Sequence, residues 1–374
     1  HLLIEQGYEV IGMFMRNWHD ESVTLSDDCP WIDDSNDALL IAQQLGIPFQ
    51  VIDLSKEYQE KIVDYMFAEY SVGRTPNPDV LCNREIKFDV FLKAAMDLGA
   101  DFVATGHYCR KKIHDDASFG LIAGKDPGKD QSYFLCQLEQ AQLAKALFPI
   151  GELLKSEVRD IARQIGLHTA DKKDSQGLCF VGKVSLPQFL QQQLKPKKGS
   201  VIEIPDTLEM YSNYNDLPVN EASVEALAQP YSYSKSDGEV VAEHQGAHYY
   251  TIGQRKGLHI GGRPKPSFVI GLDVASNTVY SGQTDLHSGL NKWALKIELQ
   301  DFHFVSSRYV LSDIHQLDCQ LRIRYRQILQ GGKVIVHNDA VYMLFKEKQR
   351  GITPGQFAAI YIGEELIASG VILH

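Results

Sequence analysis

Two cysteines stand where a thiol has chemistry to offer. Cys82 lies in RTPNPDVLCNREIKFD, Arg74 to Asp89, after a proline-rich turn and just before a charged helix start; Cys179 lies in KKDSQGLCFVG. Both surroundings are polar, whereas an unreactive cysteine is usually a small buried hydrophobe. A thiol near a helix N-terminus gains from the helix dipole, which favours thiolate below its ordinary pKa of about 8.5. Cys29, in SDDCPWIDD, is weaker because neighbouring carboxylates raise a thiol's pKa. Cys109, Cys136 and Cys319 read as core or strand residues. Asp79 could act as acid or base beside Cys82, but Asn-Pro-Asp is also ordinary turn composition, and taken alone the turn reading prevails. His107 follows an apolar strand at a position where loops carry function, and there a ligand contact and a plain surface histidine weigh equally.

The elements that would position these residues alternate. YEVIGMFM suits a central parallel strand, SNDALLIAQQLG a helix capped by Ser35 and closed by Gly46, and PFQVID a second strand. Further helices are expected from Lys56 to Tyr70 and from Glu85 to Leu98, followed by the strand DFVATGHY. The repetition predicts a doubly wound α/β sheet, with ligands beyond the carboxyl ends of its strands, where GMFMRNW, LCNRE and TGHY should gather. KIHDDASFGLIAGKD reads as a hairpin. From about Lys195 the texture turns to Gly, Pro and Ser with short β-rich pieces. The expected division is 1–194, a small central domain 195–266, and a C-terminal β-barrel 267–374, with 206–238 an irregular surface insertion.

The 374 residues are 44% hydrophobic and 23% charged, an ordinary globular composition that supports two or three cores. No C-x-x-C pair or other metal motif occurs, and GKDPGKDQS lacks the spacing of a phosphate-binding P-loop. No run is long enough for a membrane helix and no signal segment opens the chain, so the expected location is the cytoplasm. The net charge of −11 opposes general attraction to nucleic acid. Against that total stand three basic clusters: CRKK, GQRKG with Arg263 and Lys265, and RIRYRQ. A strand through RIRYRQ would place Arg322, Arg324 and Arg326 on one face, a stripe suited to phosphates, although a solvated barrel face would read the same.

Taken together, GMFMRNW, GRTPNPDVLCNREIKF, ATGHY, KDQSYFL, KKDSQGLCFVG, HQGAHYYTIGQRKGLHIGG, RYRQ and TPGQ resemble the tRNA-specific 2-thiouridylase family (MnmA/TrmU) over nearly the whole chain. The resemblance implies an adenylation domain of the PP-loop ATP-pyrophosphatase type, a small central domain and a C-terminal β-barrel. It implies ATP, with Mg2+, adenylating C2 of the wobble uridine in the tRNAs for lysine, glutamate and glutamine, and sulfur arriving from a persulfide donor protein. Cys179 would carry the persulfide and Cys82 would be the nucleophile that frees its sulfur, with Asp79 helping at the base. Met15 and Gly106 would contact the nucleotide. Asn77, Pro78, Asp79, His107, Lys129, Asp130, Gln131, Arg324, Tyr325 and Gln356 would contact tRNA.

Two departures qualify the likeness. The family's Ser-Gly-Gly-x-Asp-Ser-Ser loop precedes the position matching His1, so the chain from His1 onward is expected to bind ATP weakly, and the 206–238 insertion has no counterpart. The alternatives are a non-catalytic tRNA-binding relative, another ATP-pyrophosphatase-type RNA thiolase lacking the NPDVLC and SQGLCF pair, and a two-cysteine redox protein needing neither ATP nor RNA.

Overall fold

A computed structural model describes residues 1–17, 30–172 and 186–374. Strands Gly12–Arg16 and Phe49–Asp53 pair in parallel, from Gly12 opposite Phe49 to Arg16 opposite Asp53, joined through helix Pro30–Leu45. That helix starts before Ser35, so Ser35 is an interior residue and not its cap; Pro30 takes the first position, where a missing N–H is harmless. Gly46, at φ +67, closes it in the left-handed region. A second parallel pair joins Val103–Ala104 to Ala146–Leu147. Tyr8 and Phe102, which precede the strands Gly12–Arg16 and Val103–Ala104, meet edge to face at 6.4 Å.

The helical stretch 55–71 packs beside a second stretch, 78–97, whose middle, Cys82–Val90, is wound as a π-helix. The second starts at Pro78, ahead of the expected Glu85, so Cys82 lies inside the helix. Ile62, Met66, Val80, Leu81, Ile86 and Phe88 bury the shared face.

The expected hairpin forms from Cys109–Ile113 and Phe119–Ala123, but it does not stay local. Its second strand pairs with Glu365–Val371, Leu121 lying opposite Leu366, and extends the large C-terminal sheet. The rest of that sheet runs antiparallel through Asn291–Glu298, Ala340–Arg350, Gln330–His337, Gln316–Arg322, Phe357–Ile362 and Glu365–Val371. A four-stranded sheet precedes it, built from Glu239–His244, Gly199–Glu203, Thr278–Gln283 and Ser267–Asp273. These strands lie on both sides of residue 266, so the β-rich unit that begins at Gly199 runs on to Gln283.

The insertion is neither irregular nor superficial. It contains helices Glu209–Asn215 and Val224–Ala228, whose Tyr214, Val224 and Leu227 are buried against Ala294, Ile335 and Tyr342 of the barrel. The Tyr214 hydroxyl donates to the Leu227 carbonyl at 3.0 Å and accepts from the Trp293 N–H at 2.8 Å, which satisfies both roles of a buried phenol. Polar composition concealed an aromatic face spaced by helical periodicity.

Candidate functional site

The stretch from Arg74 to Asp89 is held where all three parts of the chain meet. Thr75 gives its N–H to the Pro354 carbonyl at 2.8 Å, and its hydroxyl lies 3.1 Å from that of Thr251. Asn77 caps the helix, its side chain accepting from the Val80 N–H at 3.3 Å with Pro78 in the first turn. Asp79 falls in that first turn, where a carboxylate is favoured by the helix dipole. Asn83 ties the next turn down by donating to the carbonyls of Asp79 and Phe134, both at 3.0 Å.

Cys82 is fully buried, in a core that the N-terminal helices share with barrel residues such as Phe357 and Tyr361. The expectation of a thiol without a packing role is therefore corrected: the helix begins earlier than the charged residues suggested and turns Cys82 inward. The other described thiols are insulated. Burial raises the pKa of Cys136 and of Cys319 to about 12 and pushes Cys109 well above the ordinary value. Cys179 and Cys29 lie outside the described residues, so the expected meeting of Cys82 with Cys179 does too.

Several residues expected to touch RNA make protein contacts. Asp130 is buried, its carboxylate accepting from Arg322 Nη1 at 2.9 Å and from the N–H groups of Gly124 and Ser132. Gln131 accepts from the Tyr108 N–H at 3.0 Å. Tyr325 packs on Phe134 with the rings tilted by 36° and centroids 4.3 Å apart, and its hydroxyl is 3.5 Å from the Lys129 carbonyl. Gln356 reaches from the barrel to the Thr75–Asn77 backbone and side chain. His107 is buried between Phe88 and Phe148, its Nδ1 2.7 Å from the Thr105 hydroxyl, and burial, with a smaller contribution from Lys87, holds its pKa well below the usual histidine value. It is a neutral imidazole at physiological pH.

The arginine stripe does not form. The strand ends at Arg322, and the chain turns before Arg324, whose guanidinium donates to the Gly351 carbonyl. Arg322 is buried, Arg324 half-buried and Arg326 exposed, so the three do not share a face.

At the carboxyl ends of the leading strands, Met15 is half-buried and Gly106 is exposed, with open space where a Cβ would stand. Beside Met15, Asn17 is buried and its amide has no hydrogen-bond partner among the described residues. It was missed in the sequence, although it lies within GMFMRNW. A buried amide with no partner among the described residues fits the polar edge of a nucleotide base or ribose. Asp53, on the same rim, is held down to about 2, chiefly by its hydrogen bond with Arg16. Among the described residues no cluster of His, Cys, Asp and Glu could hold a metal ion. No described helix is long and apolar enough to cross a membrane.

Family models match residues 1–183 as a tRNA methyl transferase HUP domain, 231–283 as a tRNA methyl transferase PRC-barrel domain, and 295–372 as an aminomethyltransferase beta-barrel domain. Over its full length the chain is 56% identical to a Flavobacterium johnsoniae protein, covering 95% of it, and 55% identical to one from Christiangramia forsetii, again covering 95%. It is 42% identical to a Streptococcus pyogenes protein, over 99% of this chain and 90% of that one. All three relatives are named tRNA-specific 2-thiouridylase MnmA.

Proposed function

The chain belongs to the tRNA-specific 2-thiouridylase family, and from that premise we propose that it replaces the C2 oxygen of the wobble uridine with sulfur in the tRNAs for lysine, glutamate and glutamine. The domain-model descriptions speak of methyl transfer, but the relatives matched end to end are named for thiolation. The observation that carries the reading is the built turn at Asn77–Cys82: a capped helix start, a carboxylate in its first turn and a thiol held beneath it.

ATP, brought with Mg2+, would supply the adenylyl group that makes the C2 oxygen a leaving group. Met15, Asn17 and Gly106 are the described residues suited to hold its nucleoside end. Cys179 receives the outer sulfur of a donor protein's persulfide. The Cys82 thiolate attacks the Cys179 sulfur, forming a Cys82–Cys179 disulfide and releasing hydrosulfide; hydrosulfide adds at C2 and AMP departs with the former C2 oxygen. A thiol reductant then returns both cysteines to thiols. Asp79 accepts or returns a proton at the base, and the base leaves an already single-stranded loop at little cost. Because Cys82 is buried, its thiol must be uncovered for the sulfur to reach the base.

The test is retardation of glutamate tRNA on a mercury-containing gel after incubation with full-length protein, ATP and a persulfide donor. Cys82→Ala and Cys179→Ala should each abolish the retarded product, a loss of roughly a hundredfold or more in rate. Thiolation by either variant at the wild-type rate would sink the mechanism.

A further inference from the structure

We infer that Gln356 is a positioning residue through which the C-terminal barrel sets the catalytic turn. Its side-chain nitrogen donates to the Thr75 carbonyl at 2.8 Å and to the Pro76 carbonyl at 3.1 Å, while its oxygen accepts from the Asn77 amide at 3.3 Å. Both donor positions are thereby filled, and exchanging the amide's oxygen and nitrogen would set an acceptor against two carbonyls, so the partners fix its orientation. Asn77 in turn caps the helix that carries Asp79 and Cys82. The geometry around Gln356 serves the same contact. Thr75 returns its N–H to Pro354, and Gly355, at φ +89, lies so close that a Cβ there would stand 3.0 Å from the Thr75 backbone. Glycine is required at that position both by its conformation and by this approach. On the other side of the turn, Tyr133 gives its hydroxyl to the Phe357 carbonyl at 2.9 Å, so neighbouring barrel residues grip both the turn and the segment behind it. Through these contacts the barrel is part of the framework that sets the turn.

This inference rests on the thiolation reading only for its activity measurement; a second measurement is independent of it. Full-length wild type, Gln356→Ala and the volume-conserving Gln356→Glu are treated with iodoacetamide without tRNA, and labelling at each cysteine is followed by peptide mass spectrometry. Both variants should label Cys82 about tenfold faster, because losing two donated hydrogen bonds frees the turn to open. Glutamate retains an acceptor for Asn77 but opposes the two carbonyls, so it should be at least as disruptive as alanine. Cys109, buried in the first strand of the 109–123 hairpin, should label at the wild-type rate, which excludes general unfolding. In thiolation assays kcat should fall about tenfold, with KM and tRNA Kd within about twofold. Unchanged Cys82 labelling, in either variant that retains a cooperative melt, overturns the inference, as does a kcat left intact while tRNA Kd weakens about tenfold. If the wild type fails to thiolate any tRNA, the functional reading falls and the labelling result still decides the role of Gln356.

Discussion

Two buried cations join the barrel to its neighbours, and they are treated in opposite ways. Arg322, at the contact with the catalytic domain, meets the buried Asp130 carboxylate at 2.9 Å and lies over the Tyr361 ring with its guanidinium carbon 5.3 Å from the centroid. Lys292, at the contact with the insertion, has among the described residues the Ala228 and Gln229 carbonyls and the face of Tyr231, 5.5 Å away. With no carboxylate partner among the described residues, burial lowers the Lys292 pKa to about 7. The other groups around it do not help: Lys348 lies over Tyr214 and Trp293, and His374 is pushed down to about 4 by burial first and then by Lys292 and Lys296. One junction carries a neutralised ion pair beside the catalytic loop. The other carries a charge that the fold would rather lose.

The comparison is most severely tested at Asp130. Asp130→Ala should destabilise the protein by about 3–5 kcal/mol in urea unfolding, because it strands a buried guanidinium and two N–H groups. Adding Arg322→Met should restore part of that loss, since the uncompensated charge disappears with it. A single-variant loss below about 1 kcal/mol would mean that water already reaches the pair.

That ion pair also marks the limit of what the sequence conveyed. The strands at Gly12–Arg16 and Phe49–Asp53 were legible because an apolar run between turn signals is a local property. Helix starts were less so, since the charged NREIKF drew attention from the capping Asn77 and the Pro78 after it. Period-two reading of RIRYRQ failed because it presumed a strand where pairing stops at Arg322. Partners across the chain were not legible at all. Nothing in KDQ announces that Asp130 faces Arg322, and nothing in TPGQ announces that Gln356 faces Thr75. Both facts depend on how the hairpin 109–123 joins the barrel sheet and brings distant segments together.

At the other junction the sign of the pH effect distinguishes the two cations. The unfolded chain keeps the Lys292 proton up to about pH 10.4, whereas the folded protein releases it near 7. Between those values the unfolded state binds more protons, so stability should rise with pH, by at most about 1.4 kcal/mol per unit. Urea unfolding at several alkaline pH values should show wild type gaining on Lys292→Met as pH rises, whatever their difference at neutrality. A difference that stays flat would mean that Lys292 keeps its charge, and the contrast with Arg322 would fail.

The smallest expected effect separates the arginines of RIRYRQ from one another. Arg324 is committed to the Gly351 carbonyl, and its pKa is lowered by burial and then by Arg350, which are poor conditions for gathering phosphates. Arg326 stays exposed, its guanidinium 5.9 Å from the centre of the Tyr325 ring, on the same turn as the Tyr325–Phe134 pair. If this turn meets the RNA backbone, Arg326→Ala should reduce the slope of log affinity against log salt by roughly 0.7, the release expected for one single-strand phosphate. Arg322→Met should leave the slope unchanged, because a charge already paired with Asp130 releases no counterion. Should Arg324→Ala flatten the slope while Arg326→Ala does not, the 323–329 turn must rearrange when RNA binds, giving up the Gly351 contact to present Arg324. The junction beside the catalytic turn would then be the one that moves.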